Sequence, residues 1–245
     1  GAGKSTLIKI LIGKELPVAG DIKWQKNTKI GYLDQYVDIP QGMTLIQFLH
    51  TAFQELYDVN EQMNELYARY ATEMDDRLLE RAGRLQERLD AADFYEVETK
   101  IERVMNGLGL NDIGKDHVVS EMSGGQRSKI ILAKMLLENP DVILLDEPTN
   151  YLDTAHIEWL IEYLNDFDGA AMIISHDYDF LERVTNTICD VAFGKITKYR
   201  GSFKQAMRQK AERKETQERE YEKQQEVIEK ATRFIRKNKA GRNSN

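Results

Sequence analysis

The sequence predicts an α/β fold built on a parallel sheet, and three observations predict it. Residues 142–145 (Val-Ile-Leu-Leu) form an unbroken apolar run, which suits a strand buried on both faces of such a sheet. Residues 170–174 (Ala-Ala-Met-Ile-Ile) form a second run of the same kind. Between them Ile157, Leu160, Ile161 and Leu164 recur at helical spacing, so strands alternate with helices along the chain.

The first run ends in Asp146 and Glu147, and Pro148 prevents the strand from continuing. In open α/β sheets ligands collect at the carboxyl ends of the strands. Adjacent acids there suit metal-assisted phosphate chemistry: one can hold Mg²⁺ through its water shell, and the next can orient or deprotonate an attacking water. The plainer alternative is a buried strand that merely ends in an exposed acid pair.

Taken in order, Gly1-Ala2-Gly3-Lys4-Ser5-Thr6 is the right-hand end of the phosphate-binding pattern G-x-x-x-x-G-K-[ST], whose first glycine would fall before residue 1. Small residues let backbone N–H groups approach phosphates, Lys4 can neutralise β/γ charge, and Ser5 can ligand Mg²⁺. Residues 7–12 read as a buried helix ending at Gly13, with its N-terminus aimed at the phosphates. Residues 20–24 and 29–33 read as short strands, the second leading to Asp34-Gln35, where the glutamine could reach a metal or a water. Thr44 and Gln47 have capping-box spacing, and the helix they open carries Leu45, Leu49, Phe53 and Leu56 on one face.

Residues 59–105 are highly charged with helical periodicity. Met63, Leu66, Tyr67, Tyr70 and Met74 form one stripe, and Leu78, Ala82, Leu85 and Leu89 a second. These predict an antiparallel helical excursion turning near residues 72–76 or 90–93, with the stripes as its seam, and the turn at residues 106–110 ends it. Ser123 and Gln126 form a second capping box, in Met122-Ser123-Gly124-Gly125-Gln126. Gly124 and Gly125 leave the first amides of that helix uncovered, and a bare, dipolar helix start is an anion site. The helix stops at Asn139-Pro140.

The strand at residues 170–174 ends in Ser175-His176-Asp177, which a parallel neighbour would bring to the same edge as Asp146 and Glu147. There His176 could hydrogen-bond a γ-phosphate. Residues 187–193 and 196–199 read as closing strands. From Phe203 the chain reads as one long helix, with Tyr221, Ile228 and Ile235 in a weak heptad seam.

Charge is uneven. From Lys195 onward there are 16 Lys+Arg against 7 Asp+Glu, a net of +9, which leaves −16 on the rest of a chain whose formal net charge is −7. An acidic body with a basic tail points to a polyanion as the tail's partner. The single cysteine, Cys189, excludes an internal disulfide, a Cys-only zinc site and a cysteine-ligated iron–sulfur cluster, and fits a reducing cytoplasm. No apolar run reaches the length that crosses a bilayer. The chain opens inside a motif and closes inside a charged stretch, as a fragment of a longer protein would.

The order of these motifs resembles that of an ATP-binding cassette (ABC) ATPase over residues 1 to about 200. That resemblance implies a P-loop NTPase cassette with a helical subdomain. By position, Gly1, Ala2, Gly3, Lys4, Ser5 and Thr6 match the end of the phosphate loop, and Gln35 the glutamine that contacts Mg²⁺ and water. Met122 to Gln126 match the signature usually written LSGGQ, with Ser123, Gly124, Gly125 and Gln126 addressing nucleotide. Asp146 matches the Mg²⁺-associated acid, Glu147 the general base and His176 the switch histidine. Ser5, Gln35 and Asp146 are the implied Mg²⁺ contacts, and ATP is the implied nucleotide. Tyr151 to Asp153 fall in the loop that touches an opposing cassette. The adenine-stacking aromatic would lie before residue 1.

Within that superfamily the chain most resembles the ABC-F class of ribosome-associated factors. Residues 146–153, DEPTNYLD, are similar to DEPTNHLD; residues 175–181 resemble SHDRxFL; residues 199–203 resemble the Y-x-G-N-Y that opens the interdomain linker. Residues 233–241 resemble the basic part of that linker. The resemblance implies an ATPase domain over 1–200, with a helical subdomain and arm-like insertion at about 45–137, and a linker helix starting over 201–245. It implies a second cassette in the same full-length chain, weak ATPase from residues 1–245 alone, and contact with ribosome, rRNA and tRNA through linker and arm. The alternative is the nucleotide-binding subunit of a membrane transporter, which shares the ATPase motifs but does not need the long basic helix. A coiled-coil DNA-repair ATPase would separate phosphate loop and signature far more widely, and an excision-repair cassette would carry zinc cysteines.

Overall fold

The structure is a computed structural model. It describes residues 3–33, 39–192 and 194–242, with residues 233–242 described by backbone alone. The chain divides into two compact units, residues 3–180 and the chain from Leu181 onward.

The first unit is organised on a three-stranded parallel sheet of β1 (Ile30–Tyr32), β2 (Val142–Asp146) and β3 (Ala170–Ile174), in that order. The register pairs Ile30 with Val142 and Asp146 with Ile174. β2 is central, and Ile143, Leu144 and Leu145 are buried, as an uninterrupted apolar run requires. β3 departs from the expected buried strand: Ala170, Ala171 and Met172 are exposed. Among the described residues β3 is an edge strand, paired with β2 on one side only, so its apolar run lacks the neighbours that would cover it. Residues 20–24 do not form the expected strand. They are exposed, and no described strand lies alongside to take their backbone groups. Trp24 is held instead by its Nε1–H, which donates to the Leu11 carbonyl at 3.1 Å.

Helix α1 (Lys4–Leu11) packs against β2. It is less buried than its apolar run suggests, since Ile8 alone of that run is buried. Helix α2 (Leu45–His50) begins at the expected capping box: Gln47 N–H donates to Thr44 Oγ1, and Thr44 N–H to Gln47 Oε1. A 3₁₀ turn, Thr51–Phe53, links it to the charged excursion.

The excursion is a hairpin of α3 (Gln54–Glu73) and α4 (Asp76–Ala91). Met74 turns the chain in the left-handed conformation (φ 53°), and Asp75 caps α4 through Arg77 N–H at 3.0 Å. Its seam joins Val59, Met63 and Leu66 of α3 to Leu78, Ala82 and Leu89 of α4. Tyr67 and Met74, expected on that seam, are exposed instead, Met74 at 73%. Tyr67 directly follows the buried Leu66, a step of about 100° round the helix, and Met74 lies beyond the last helical residue. Arg88 of α4 pairs with Glu55 of α3 near the hairpin's base.

Helix α5 (Val97–Gly107) runs into the expected turn, and α6 (Gly124–Leu137) follows. Helix α7 (Thr154–Asp166) buries Leu160, Ile161 and Leu164 and stacks Trp159, Tyr163 and Phe167 along one side. The Tyr163 hydroxyl donates to the Leu136 carbonyl at 3.0 Å, fastening α7 to α6, and burial raises its pKa.

Helix α8 (Tyr178–Val184) carries the chain into the second unit. There β4 (Thr187–Ala192) and β5 (Lys195–Arg200) pair antiparallel with each other. Helix α9 (Phe203–Arg242) starts beside them; Lys210 pairs with Asp190 at 2.8 Å, and Lys204 N–H donates to Glu182 Oε2 at 2.7 Å. That backbone bond is the main cause lowering the Glu182 pKa. The described seam residues Tyr221 and Ile228 are exposed. No helix among the described residues is long and apolar enough to cross a membrane.

Two outcomes follow. Leu89 is fully buried in the hairpin seam. Leu89→Ala should cost about 2–5 kcal/mol and speed hydrogen exchange in α3 and α4, whereas unchanged exchange would show that the seam does not hold the hairpin. Glu182 has a folded pKa below its ordinary value of 4.5, so its contribution is present above that value and is lost as pH falls through the lowered one. Glu182→Gln should therefore destabilise the second unit at neutral pH and flatten its acid-side unfolding curve, read by circular dichroism.

Candidate functional site

Two helix starts and one sheet edge carry the expected site residues. At the first, Gly3 takes the left-handed conformation (φ 83°) and α1 opens at Lys4 with no side-chain cap and no acid in its first turn. Among the described residues no side chain caps its first amides, which lie at the positive end of the helix dipole. Ser5 and Thr6 are exposed in that turn, while Lys4 is half-buried. Gly1, Ala2 and Gln35 lie outside the described residues.

At the second, Ser123 and Gln126 form the capping box read from sequence: Gln126 N–H donates to Ser123 Oγ at 3.3 Å and Ser123 N–H to Gln126 Oε1 at 2.9 Å. The Gln126 side chain is thus turned back onto the cap. A Cβ on Gly124 would meet nothing within 4 Å, so packing within this unit does not demand glycine there. The open backbone suits a ligand or second surface that approaches it closely.

The sheet edge brings Asp146, Glu147 and His176 together. Asp146 is the last residue of β2, in register with Ile174, and Glu147 N–H donates to the Ile174 carbonyl at 2.8 Å. Glu147 is left-handed, with φ 51° and ψ 55°, an uncommon state for a residue with a side chain. The turn at Pro148–Tyr151 follows at once. The carboxylate is directed back at the end of β3: Oε2 accepts the His176 N–H at 3.1 Å, and Oε1 lies 3.5 Å from His176 Nε2. Glu147 is 23% exposed and His176 75%, so a half-sheltered acid sits beside an open imidazole. The loop beneath is fixed by Asp177 N–H to Ser175 Oγ and Phe180 N–H to Asp177 Oδ1, both at 3.0 Å.

Sequence reasoning placed Asp146, Glu147 and His176 at one edge but missed the strained conformation of Glu147, which no residue type signals. It also passed over His156, which the structure sets between Asp153 and Lys129.

Among the described residues no group of three or more His, Cys, Asp or Glu is placed to hold a metal by itself. The expected Mg²⁺ contacts Ser5 and Asp146 offer a hydroxyl and a single carboxylate, donors that would suit Mg²⁺, which keeps several waters and leans on substrate phosphates, better than a cage-bound transition metal.

A family model described as ABC transporter matches residues 1–150, and a second of the same description matches residues 189–245. The chain is 43% identical over 243 residues to the uncharacterized ABC transporter ATP-binding protein YfmM of Bacillus subtilis, covering 98% of this chain and 47% of that protein. It is 36% identical over 250 residues to ABC transporter F family member 5 of Arabidopsis thaliana, covering 100% of this chain and 36% of that one. It is 34% identical over 246 residues to the energy-dependent translational throttle protein EttA of Escherichia coli K12, covering 100% and 44%. The chain thus spans less than half of each of these relatives.

Among solved structures, an ATP binding subunit of an ABC transporter aligns with TM-score 0.60 and 20% identity over 86% of this chain and 78% of that one. The archaeal ribosome recycling factor aABCE1, in complex with stalk protein aP1, aligns with TM-score 0.54 and 22% identity over 84% and 33%. These two establish the cassette fold alone. The family match and the F-family relatives agree: the chain belongs to the ABC transporter family, as an ABC-F-like, ATP-binding cassette.

Proposed function

We propose that this cassette uses ATP hydrolysis to time a clamp in a longer, tandem-cassette protein that acts on the ribosome in the cytoplasm. The observation that carries the catalytic part is the left-handed Glu147, whose carboxylate is tied to His176 at the end of β2. Glu147 is the general base. It takes a proton from water as the water oxygen bonds to the γ-phosphorus and the bond to the β-phosphate bridging oxygen breaks, leaving ADP and phosphate. Lys4 and the bare amides of α1 bind the phosphates, and His176 hydrogen-bonds the γ-phosphate. Ser5, Asp146 and Gln35 would hold Mg²⁺, which neutralises charge on the β- and γ-phosphates. Ser123, Gly124, Gly125 and Gln126 address the nucleotide on an opposing cassette, so neither cassette completes a site alone.

The ribosomal part is supported by the 34% identity to a translational throttle protein and by the 40-residue helix α9. The +9 charge from Lys195 onward suits the phosphate backbone of rRNA and tRNA. The α3–α4 hairpin is, in this reading, the arm of the class and a second ribosomal contact. With 10 Asp+Glu against 5 Lys+Arg over residues 54–91, it leaves most of the phosphate binding to the linker, α9.

In the full-length protein, Glu147→Gln should bind ATP and lose turnover by about 10²–10⁴-fold. Near-normal turnover would remove Glu147 from the role. The full-length protein should also pellet with ribosomes in ATP, with affinity falling steeply, by roughly 10³-fold or more between 50 and 200 mM salt if six phosphates are engaged. Pelleting with membrane vesicles and not ribosomes would favour the transporter-subunit reading.

A further inference from the structure

Between Glu147 and α7 the chain passes through the turn at Pro148–Tyr151, then Leu152 and the cap Asp153. One end of this segment is fixed by the bonds of Glu147 to β3 and His176. The other end closes on His156. Its ring Nδ1 lies 2.8 Å from Asp153 Oδ1, the same oxygen that accepts the His156 backbone N–H at 3.1 Å. Nδ1 also lies 3.4 Å from Lys129 Nζ, on α6. At the other side of the ring, a Cβ on Gly109 would fall 2.2 Å from Nε2, so the turn after α5 lies directly against the imidazole. The side chain is 19% exposed.

Nδ1 thus faces two groups of opposite charge, the Asp153 carboxylate at 2.8 Å and the Lys129 ammonium at 3.4 Å, which hold the ring between the α7 cap and α6. In the middle of the segment, a Cβ on Gly125 would lie 3.9 Å from Tyr151 Cδ1, so the loop also adjoins the start of α6.

We infer that His156 is a positioning residue for Glu147. It locks the far end of the loop that begins at Glu147 onto the signature helix α6 and onto the turn after α5. The inference rests on the reading of Glu147 as base. His156 touches no reacting atom; it acts by keeping a left-handed acid from relaxing. Phosphate binding at the start of α1 does not depend on it, so its loss lowers kcat and leaves KM for ATP alone.

The test uses steady-state ATPase of the full-length protein. His156→Ala should lower kcat about tenfold with KM within about twofold, since a misplaced catalytic group of this kind costs up to 10²-fold. His156→Asn keeps an amide that can meet both Asp153 and Lys129 near the position of Nδ1 and should restore kcat to within about threefold of the parent. Lys129→Met, which removes only the tie to α6, should lower kcat about threefold and decides the matter together with His156→Asn if His156→Ala does not fold. Unchanged kcat in His156→Ala, a matching rise in KM, or an asparagine variant as slow as the alanine variant would each overturn the inference. Glu147→Gln in the same assay separates the two readings. If it keeps turnover, the base assignment fails and the inference with it. If it is inactive while His156→Ala is normal, only the inference fails.

Discussion

The fold depends on β2 being paired in parallel on both sides. That pairing buries Ile143, Leu144 and Leu145 and, because the register runs through to Asp146 and Ile174, fixes where the two strand ends lie. Glu147 N–H then donates to the Ile174 carbonyl, and the residue is left-handed where the strand gives way to the turn. The turn that follows, beginning at a buried proline, prevents the strand from extending and the acid from swinging back into β geometry. A conformation that costs of order 1–3 kcal/mol persists because a register, a backbone bond and a carboxylate–amide bond all specify it.

Anion-binding capacity has a different origin. It comes from what the two helix starts leave out. α1 has no cap and no early acid. α6 has a cap that satisfies the Gln126 amide and leaves Gly124 with open space. The acidic body of the chain would repel a polyphosphate, and these dipolar starts are where that repulsion is locally reversed. Under the proposed clamp the same imbalance would act between two cassettes: like-charged surfaces would need a bridging, charge-compensated ligand before they close.

The sheet edge was legible because its evidence is local. An apolar run, a proline and an acid pair say where a strand stops, and both capping boxes are spelled by four residues each. The hairpin was legible in outline, since periodicity marks Leu66 and Leu89, yet it could not tell that Tyr67, one step round the helix from Leu66, faces water. Residues 170–174 form the expected strand but not its burial, and residues 20–24 do not form theirs, for a shared reason. Strand propensity states what a segment can do beside a neighbour, and burial of β3 or pairing of 20–24 is decided by which strands lie alongside. The role of His156 was invisible because two of the groups against its ring, Lys129 and Gly109, are distant in sequence and ordinary in type.

Glycine placement ties these observations together. A Cβ on Gly107 would lie 2.0 Å from Trp159 Cε2, and one on Gly109 would lie 2.2 Å from His156 Nε2. Trp159 and His156 are three apart on α7 and so share a face. The turn ending α5 is therefore shaped to admit two large rings of one helix, and a side chain at either glycine would lift α7 away. Lifting α7 would draw on Asp153, and through the five residues between them on Glu147. The packing of this turn is thus coupled mechanically to the proposed base, through a loop whose two ends are both bonded. A helix set down this closely transmits small displacements instead of absorbing them, because its packed neighbours have no free volume into which to relax.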